Sequence, residues 1–158
     1  MAADRAFRWT ASGDEDRLAD IMFDAVRNGE SRYTERQRAA WVPVPRSGPD
    51  WADRLRGQAI VMAEEDGRAI GFMSLAAGGY IDFAYIRPEA LHSGLFRQLL
   101  ARIVARAIAE RAPRLWTHAS LMAEPAFASL GFVIQERQQV PIGRELLARC
   151  VMERRLRR

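Results

Sequence analysis

The sequence contains no lysine, a single cysteine and only two histidines among its 158 residues. Schiff-base catalysis and a P-loop nucleotide site both depend on a lysine amine, so the absence of lysine excludes them. Cys150 has no partner in the chain, which excludes a disulfide scaffold and a cysteine-rich zinc site. We therefore expect no bound metal, and we expect a reducing compartment, the cytoplasm.

Long apolar runs are also missing. None approaches the roughly 18 residues that a membrane-spanning helix needs, and the acidic Asp4 with no apolar segment behind it is unlike a secretory signal. A length of 158 residues predicts one domain over 1–158.

Charge of both signs is interspersed along most of the chain: 24 basic and 20 acidic residues give a net charge of +4. This modest balance does not favour nucleic-acid binding. A nucleic-acid or acidic-surface binder remains an alternative because the chain ends in four arginines, Arg154, Arg155, Arg157 and Arg158.

Hydrophobic periodicity and turn residues predict the order β-α-α-β-β-β-α-β-α-β-β. The predicted strands are 7–11, 59–63, 68–76, 80–86, 115–119, 132–140 and 145–156. The predicted helices are one before Gly29, one from near Thr34 to Pro43, a short turn over 51–56, a long helix over 93–111 and a short one at 125–131. This order favours an α/β fold with a single mixed, mostly antiparallel sheet and helices on both of its faces.

Three local features of the predicted helices bear on function. Ser12 and Glu15 form an S-x-x-E capping box ahead of the first helix. Tyr33, Gln37 and Trp41 are spaced by four and share one face of the second. The long helix follows a strand, an Arg-Pro turn and a small residue, so the free N–H groups at 91–97 suit an anion, with an ordinary crossover as the alternative.

Several segments, taken in order, resemble the GCN5-related N-acetyltransferase (GNAT) superfamily. Residues 80–89 resemble its fourth strand and exit, residues 115–123 its fifth strand, and residues 127–132 its Y-x-x-x-G-F signature. The second-helix residues Tyr33, Gln37 and Trp41, with the terminal segment 151–156, are similar to a bacterial YafP-like branch.

The resemblance covers nearly the whole chain. It implies acetyl-CoA as cosubstrate and transfer of its acetyl group to an amine of a small molecule or peptide, by direct attack in a ternary complex. A catalytically degenerate acyl-CoA-binding relative is the alternative, and a homodimer is left open.

The resemblance also implies where coenzyme A binds. The loop Leu91-His-Ser-Gly-Leu-Phe96 departs from the family's Q/R-x-x-G-x-G/A pattern at Leu91 and Phe96, yet its backbone N–H groups remain available. We expect the Phe96 ring to pack inward beside Leu99 and Leu100, with a blocked phosphate site as the alternative. The implied coenzyme-binding residues are Ile86, Arg87, Leu91, His92, Ser93, Gly94, Leu95, Phe96, Arg97, Ser120 and Phe127.

The same resemblance implies the catalytic residues. Phe127 stands where the family often has a tyrosine that protonates the thiolate, so we expect weakened activity. Asp82 and His118 are the candidate bases, and Tyr85 is a third catalytic candidate. For Asp82 the alternative is a structural pair with an arginine, and for His118 a structural role.

Two further site assignments come from the resemblance. Ser120 is implied to hydrogen-bond the pantetheine arm, with local capping of the following helix as the alternative. Tyr33, Gln37 and Trp41 are the implied substrate-binding residues, with a core stripe as the alternative.

Overall fold

The computed structural model of the chain describes residues 4–157. The strands are β1 (Arg5–Trp9), β2 (Ala59–Glu65), β3 (Arg68–Leu75), β4 (Tyr80–Ile81), β5 (Ala84–Ile86), β6 (Arg114–Ser120), β7 (Val133–Ile142) and β8 (Glu145–Arg155). The helices are α1 (Glu15–Asn28), α2 (Glu35–Trp41), α3 (Gly48–Leu55), α4 (Leu95–Ala109) and α5 (Glu124–Ser129).

The described strands form two four-stranded sheets, in the orders β1-β2-β3-β5 and β4-β6-β8-β7. The α/β class and the mostly antiparallel pairing are confirmed, with β4 and β6 as the parallel pair. The prediction of a single sheet is wrong, because the predicted strand 80–86 divides at Asp82 and Phe83. The backbone of Phe83 hydrogen-bonds to Ser74 of β3, through the Ser74 N–H and hydroxyl, whereas β4 pairs with β6, so the two sheets diverge there.

Helices cover both faces of the first sheet. The apolar side of α4, including Leu99 and Ile103, belongs to one buried cluster, and that of α1, including Ile21 and Met22, belongs to the other. Every residue of β3 after Arg68 is buried, as expected for a strand between two helical layers. Within residues 4–157 the structure contains no helix with the length and apolarity to cross a membrane.

The caps of the first two helices differ in how well the sequence predicted them. The prediction of a capping box at Ser12 and Glu15 is wrong, because α1 begins at Glu15 with Asp14 as its N-cap residue. The Asp14 carboxylate instead binds the Arg8 guanidinium at 2.7 and 2.9 Å and the Ala11 N–H at 3.0 Å. The predicted start near Thr34 is confirmed, because a complete Thr34–Gln37 capping box precedes α2.

Candidate functional site

The candidate coenzyme site is a cavity of about 520 Å³ that reaches from β5 of the first sheet to the end of β6 in the second. Its walls come from β5, the start of α4, the α1–α2 connection and the β6–α5 segment. Of the predicted coenzyme residues, the cavity is lined by Ile86, Leu91, His92, Gly94, Leu95, Phe96 and Ser120.

The loop before α4 has the backbone geometry of an anion site. His92 and Gly94 have positive φ angles of 58° and 83°, and Gly94 is the N-cap residue of the 15-residue helix α4. No hydrogen bond within residues 4–157 uses the backbone N–H groups of residues 92–97. These unpaired donors lie at the positive end of the helix dipole and can bind phosphate oxygens without a particular side chain.

Four of the predicted coenzyme residues do not line the cavity: Arg87, Ser93, Arg97 and Phe127. The Arg87 guanidinium is buried against α1, donating to Asp20, Asp24 and the Ala69 carbonyl. It is therefore not free to meet phosphate oxygens, which corrects that expectation. Arg97 is exposed on the first turn of α4.

Ser93 anchors the loop from outside the cavity. Its hydroxyl donates to the Ala90 carbonyl and accepts from Arg5 on β1, whose Nη2 lies 2.6 Å away. The Arg5 Nη1 also donates to the Ser93 carbonyl at 3.1 Å. The Ser93 side chain thus fixes the loop to β1 instead of facing the ligand space.

Phe96 and Phe127 form one edge-to-face contact at the cavity wall, with ring centroids 4.9 Å apart. Phe127 is buried against Phe96 and Phe132 and does not line the cavity. As expected, Phe96 packs against the buried cluster that contains Leu99 and Leu100, and its ring also contacts Phe127. Neither ring brings a proton donor to the coenzyme.

Ser120 lines the cavity and also makes the local contact given as its alternative. Its hydroxyl oxygen accepts from the Ala123 N–H at 3.1 Å, which stabilises the turn into α5. A hydroxyl can still donate to a ligand while it accepts this bond.

A second cavity, of about 140 Å³, adjoins the first. Both are lined by the same four residues, Tyr33, Trp41, Tyr85 and Ser120. The smaller cavity also brings together Arg54, Tyr80, Asp82, His118, Val140, Ile142, Leu147 and Arg149. The two candidate bases therefore lie in one space, next to the candidate coenzyme site.

Asp82 makes the arginine pair given above as its alternative. Its carboxylate accepts from Arg54 Nη2 at 3.0 Å and Nε at 3.2 Å, and from Gln58 Nε2 at 2.9 Å. Arg54 also lies over the Phe83 ring at 4.5 Å. Both carboxylate oxygens of Asp82 are thus occupied by cationic or amide donors, which supports the structural alternative.

His118 has the chemistry of a base. Its Nδ1 is 2.8 Å from the Tyr80 hydroxyl, and its ring packs edge-on against Trp116 at 5.6 Å. Burial, followed by the positive charge of Arg149, lowers the pKa of His118 below 6.5. The imidazole is therefore neutral near pH 7 and can accept a proton.

Tyr85 lies where the two cavities meet. No hydrogen bond of its hydroxyl occurs within the described part of the chain, and burial raises its pKa well above the usual value of 10. The phenol therefore stays protonated and available as a donor.

The three predicted acceptor residues separate into two groups. Tyr33 and Trp41 are in edge-to-face contact at 5.8 Å and line both cavities. Gln37 lines neither, because its amide completes the α2 capping box and donates to the Leu146 carbonyl at 2.8 Å. The Tyr33 hydroxyl joins β8 to the end of β6 through Ala148 and Leu121.

Sequence reasoning missed Arg54, Tyr80 and Arg149 as site residues. Tyr80 was detectable, since alternation places it on the same strand face as Asp82. Arg149 gave no signal, because its position depends on the pairing of β8 with both β6 and β7.

Comparison with known proteins identifies the family. A family model described as acetyltransferase (GNAT) domain matches residues 31–150, more than half of the chain. The chain is 29% identical to a Rhodopseudomonas palustris structure titled GCN5-related N-acetyltransferase: aminotransferase, class-II, with a TM-score of 0.90 and 99% of each chain covered.

Two more distant structures share the fold. A GNAT superfamily phosphinothricin acetyltransferase from Sinorhizobium meliloti in complex with AcCoA is 23% identical, with a TM-score of 0.72 over 96% of this chain and 88% of that one. The putative acetyltransferase yncA from Salmonella typhimurium, with its cofactor acetyl-CoA, is 20% identical, with a TM-score of 0.67 over 99% and 96%. No curated protein sequence matches. From the family model and the fold together, the chain belongs to the GNAT superfamily of acetyltransferases.

Proposed function

We propose that this acetyltransferase moves the acetyl group of acetyl-CoA onto an amine by direct attack while both substrates are bound. The observation that carries the proposal is the junction of the two cavities, which share Tyr33, Trp41, Tyr85 and Ser120. A thioester that enters from the larger cavity meets an amine held in the smaller one, without a covalent enzyme intermediate.

The larger cavity would hold the coenzyme. The unpaired N–H groups of residues 92–97 would bind the pyrophosphate, and the apolar surface of Ile86, Leu91 and Phe96 would contact the pantetheine arm. Ser120 would donate its hydroxyl hydrogen to an amide of that arm. Arg87, Ser93 and Phe127 would contribute only by holding these elements in place.

His118 would act as the general base. With Nδ1–H donating to the Tyr80 oxygen, Nε2 keeps a lone pair that accepts a proton from the ammonium form of the acceptor. The freed amine nitrogen then attacks the thioester carbonyl carbon, the C–S bond breaks, and coenzyme A leaves as the thiolate. The nitrogen, cationic after the attack, loses its extra proton to solvent to give the amide. Asp82 would serve instead to hold Arg54 at the rim.

Tyr85 would assist the leaving group. Its protonated hydroxyl lies at the cavity junction and can hydrogen-bond the departing sulfur, a role that Phe127 cannot fill. Thiols have a pKa near 8.5, so a thiolate leaves without full proton transfer.

The rival proposal keeps coenzyme binding and drops the chemistry, and the phenylalanine at position 127 favours it. Calorimetric titration with acetyl-CoA, free CoA and an adenine nucleotide control tests binding, and release of free thiol with a panel of amines tests turnover. Binding with turnover supports the enzyme, binding alone supports the rival, and no binding at millimolar acetyl-CoA contradicts both. Because the chain has no lysine, acetylation of its own side-chain amines does not add to the signal.

We further propose the finer assignments of the sequence analysis: a YafP-like branch, one domain over 1–158 and action in the cytoplasm. The residues Tyr33, Gln37 and Trp41 and the terminal strand β8 support the branch. Light scattering would test the homodimer, and a salt-dependent gel shift would test the alternative of nucleic-acid binding by the terminal arginines.

A further inference from the structure

The small cavity contains a positive charge that no described carboxylate neutralises. Arg149 on β8 lines it, and the Arg149 Nε donates to the Gln138 amide oxygen at 2.8 Å. Within residues 4–157 the Arg149 guanidinium forms no ion pair, and its two Nη atoms have no hydrogen-bond partner. Most other arginines with partly buried side chains, such as Arg5 and Arg87, bind carboxylates.

The other ionisable groups of this cavity do not offset that charge. The Asp82 carboxylate is neutralised by Arg54, with an Oδ1–Nη2 distance of 3.0 Å. His118 is uncharged near pH 7, because burial and the nearby Arg149 lower its pKa. Tyr80 and Tyr85 are neutral phenols whose pKa values burial raises. The residues that line the cavity therefore carry a net positive charge. The nearby Glu136 carboxylate, which accepts from Gln138 and acts on His118, lies outside the lining and forms no ion pair with Arg149 within residues 4–157.

The strand register places this charge close to the reaction centre. Arg149 is directly opposite Ser120 on β6, and Ser120 lines both cavities. Side chains that face each other across an antiparallel pair have Cβ atoms about 4.5–5.5 Å apart. His118, two residues before Ser120, is on the same face of β6.

Apolar side chains form the remaining wall. Val140 and Leu147 are paired across β7 and β8, and Ile142 follows on the same face. The cavity volume of about 140 Å³ suits a molecule of the size of an amino acid.

We propose that the acceptor is a small amine that also carries a carboxylate or a similar anionic group, which Arg149 binds. This inference rests on the proposed function. The Nη atoms of Arg149 offer a two-pronged donor that matches a carboxylate. With that end held, the apolar part of the acceptor contacts β7 and β8, and its amine reaches toward His118 and Tyr85.

The test compares acceptors that differ only at the anionic group. The panel contains the common L-amino acids, each paired with its carboxamide, and simple neutral amines such as phenethylamine. Turnover is measured as release of free CoA, and acetyl-CoA binding is measured separately by calorimetry. We expect the acids to exceed their amides in kcat/KM by at least about tenfold, or about 1.4 kcal/mol.

Variants then assign the preference to one residue. Arg149→Gln should raise KM for the preferred acid by at least about tenfold, with a smaller change in kcat, and should remove most of the preference over the amide. Arg149→Lys, which keeps the charge, should retain part of it. Arg144→Gln is the matched control, because Arg144 is exposed in the turn of the same hairpin.

The outcomes separate this inference from the function on which it rests. Absence of acetyl-CoA binding contradicts the proposed function itself. Three outcomes with intact acetyl-CoA binding overturn the role of Arg149. The enzyme acetylates neutral amines but no acid, it uses acids and amides equally, or its preference for acids survives in Arg149→Gln. Binding without turnover of any member of the panel overturns it too.

Discussion

Adding one methyl group at Gly79 should destabilise the protein much more than adding it at the neighbouring Gly78. Both glycines have a φ angle of 76°, so an alanine at either position destabilises the protein, because it must adopt the left-handed conformation. A Cβ at Gly79 would overlap the backbone carbonyl oxygen of Arg114, well inside the 3.0 Å that Cβ atoms keep. A Cβ at Gly78 has no atom within 4 Å.

The conformational cost alone is about 1 kcal/mol of unfolding free energy, and we expect this for Gly78→Ala. For Gly79→Ala the start of β6 must also move. That strand is held by its antiparallel pairing with β8 from Arg114 onward and by the parallel β4. We therefore expect Gly79→Ala to cost at least about 4 kcal/mol, in the range of severe single substitutions.

Urea denaturation followed by tryptophan fluorescence measures both values, and an unchanged m-value makes the two midpoints comparable. In protein that remains folded, Gly79→Ala should also raise KM for the acceptor, since Tyr80 follows directly and lines the small cavity. If the two variants differ by less than about 1 kcal/mol, the close approach of Gly79 to β6 does not exist as described.

Three further predictions concern stability and rate. Phe127→Tyr should lower the free energy of unfolding by about 1–3 kcal/mol without raising turnover, because its hydroxyl would be buried among Phe96 and Phe132; a faster enzyme would contradict this. The value of kcat/KM should fall as the pH drops through the His118 pKa, which lies below 6.5. His118→Ala should lower kcat by about 10²–10⁴-fold. An unaltered pH profile in that variant would exclude His118 as the base. Asp14 has its pKa lowered to about 2, mainly by Arg8. The ionised Asp14 therefore contributes about 1–2 kcal/mol to the free energy of unfolding, reduced by solvent screening of Arg8. This contribution is present above pH 4 and is lost as the pH falls toward 2. In urea denaturation, Asp14→Asn should be less stable than the parent at pH 7 and nearly equal to it near pH 2.

The sequence predicted the order of the elements because the periodicity in strands and helices depends on neighbouring residues. It failed at the 80–86 strand, where alternation continues through Asp82 and Phe83 although the chain changes sheets. At that point the Phe83 N–H donates to the Ser74 hydroxyl and the Ser74 N–H donates to the Phe83 carbonyl, and the alternation pattern does not reveal these bonds.

The site residues, like the fold, were predictable only where the signal lies within one segment of the sequence. His118 and Asp82 were found because the family resemblance implies a base on the fourth or fifth predicted strand, and each residue falls in one of those segments. The pairing of Asp82 with Arg54 and the burial of Arg87 against α1 depend on helices far away in the sequence. Arg149 depends on cross-strand register, which a single sequence does not reveal.

The hairpin of β7 and β8 supplies much of the acceptor wall and none of the lining of the coenzyme cavity. Its turn is exposed at Gly143 and Arg144. Substitutions within residues 140–149 can therefore reshape one wall of the small cavity without changing any residue that lines the larger one. The part of the small cavity that belongs to this hairpin is thus encoded apart from the coenzyme lining, whereas Tyr33, Trp41, Tyr85 and Ser120 belong to both cavities.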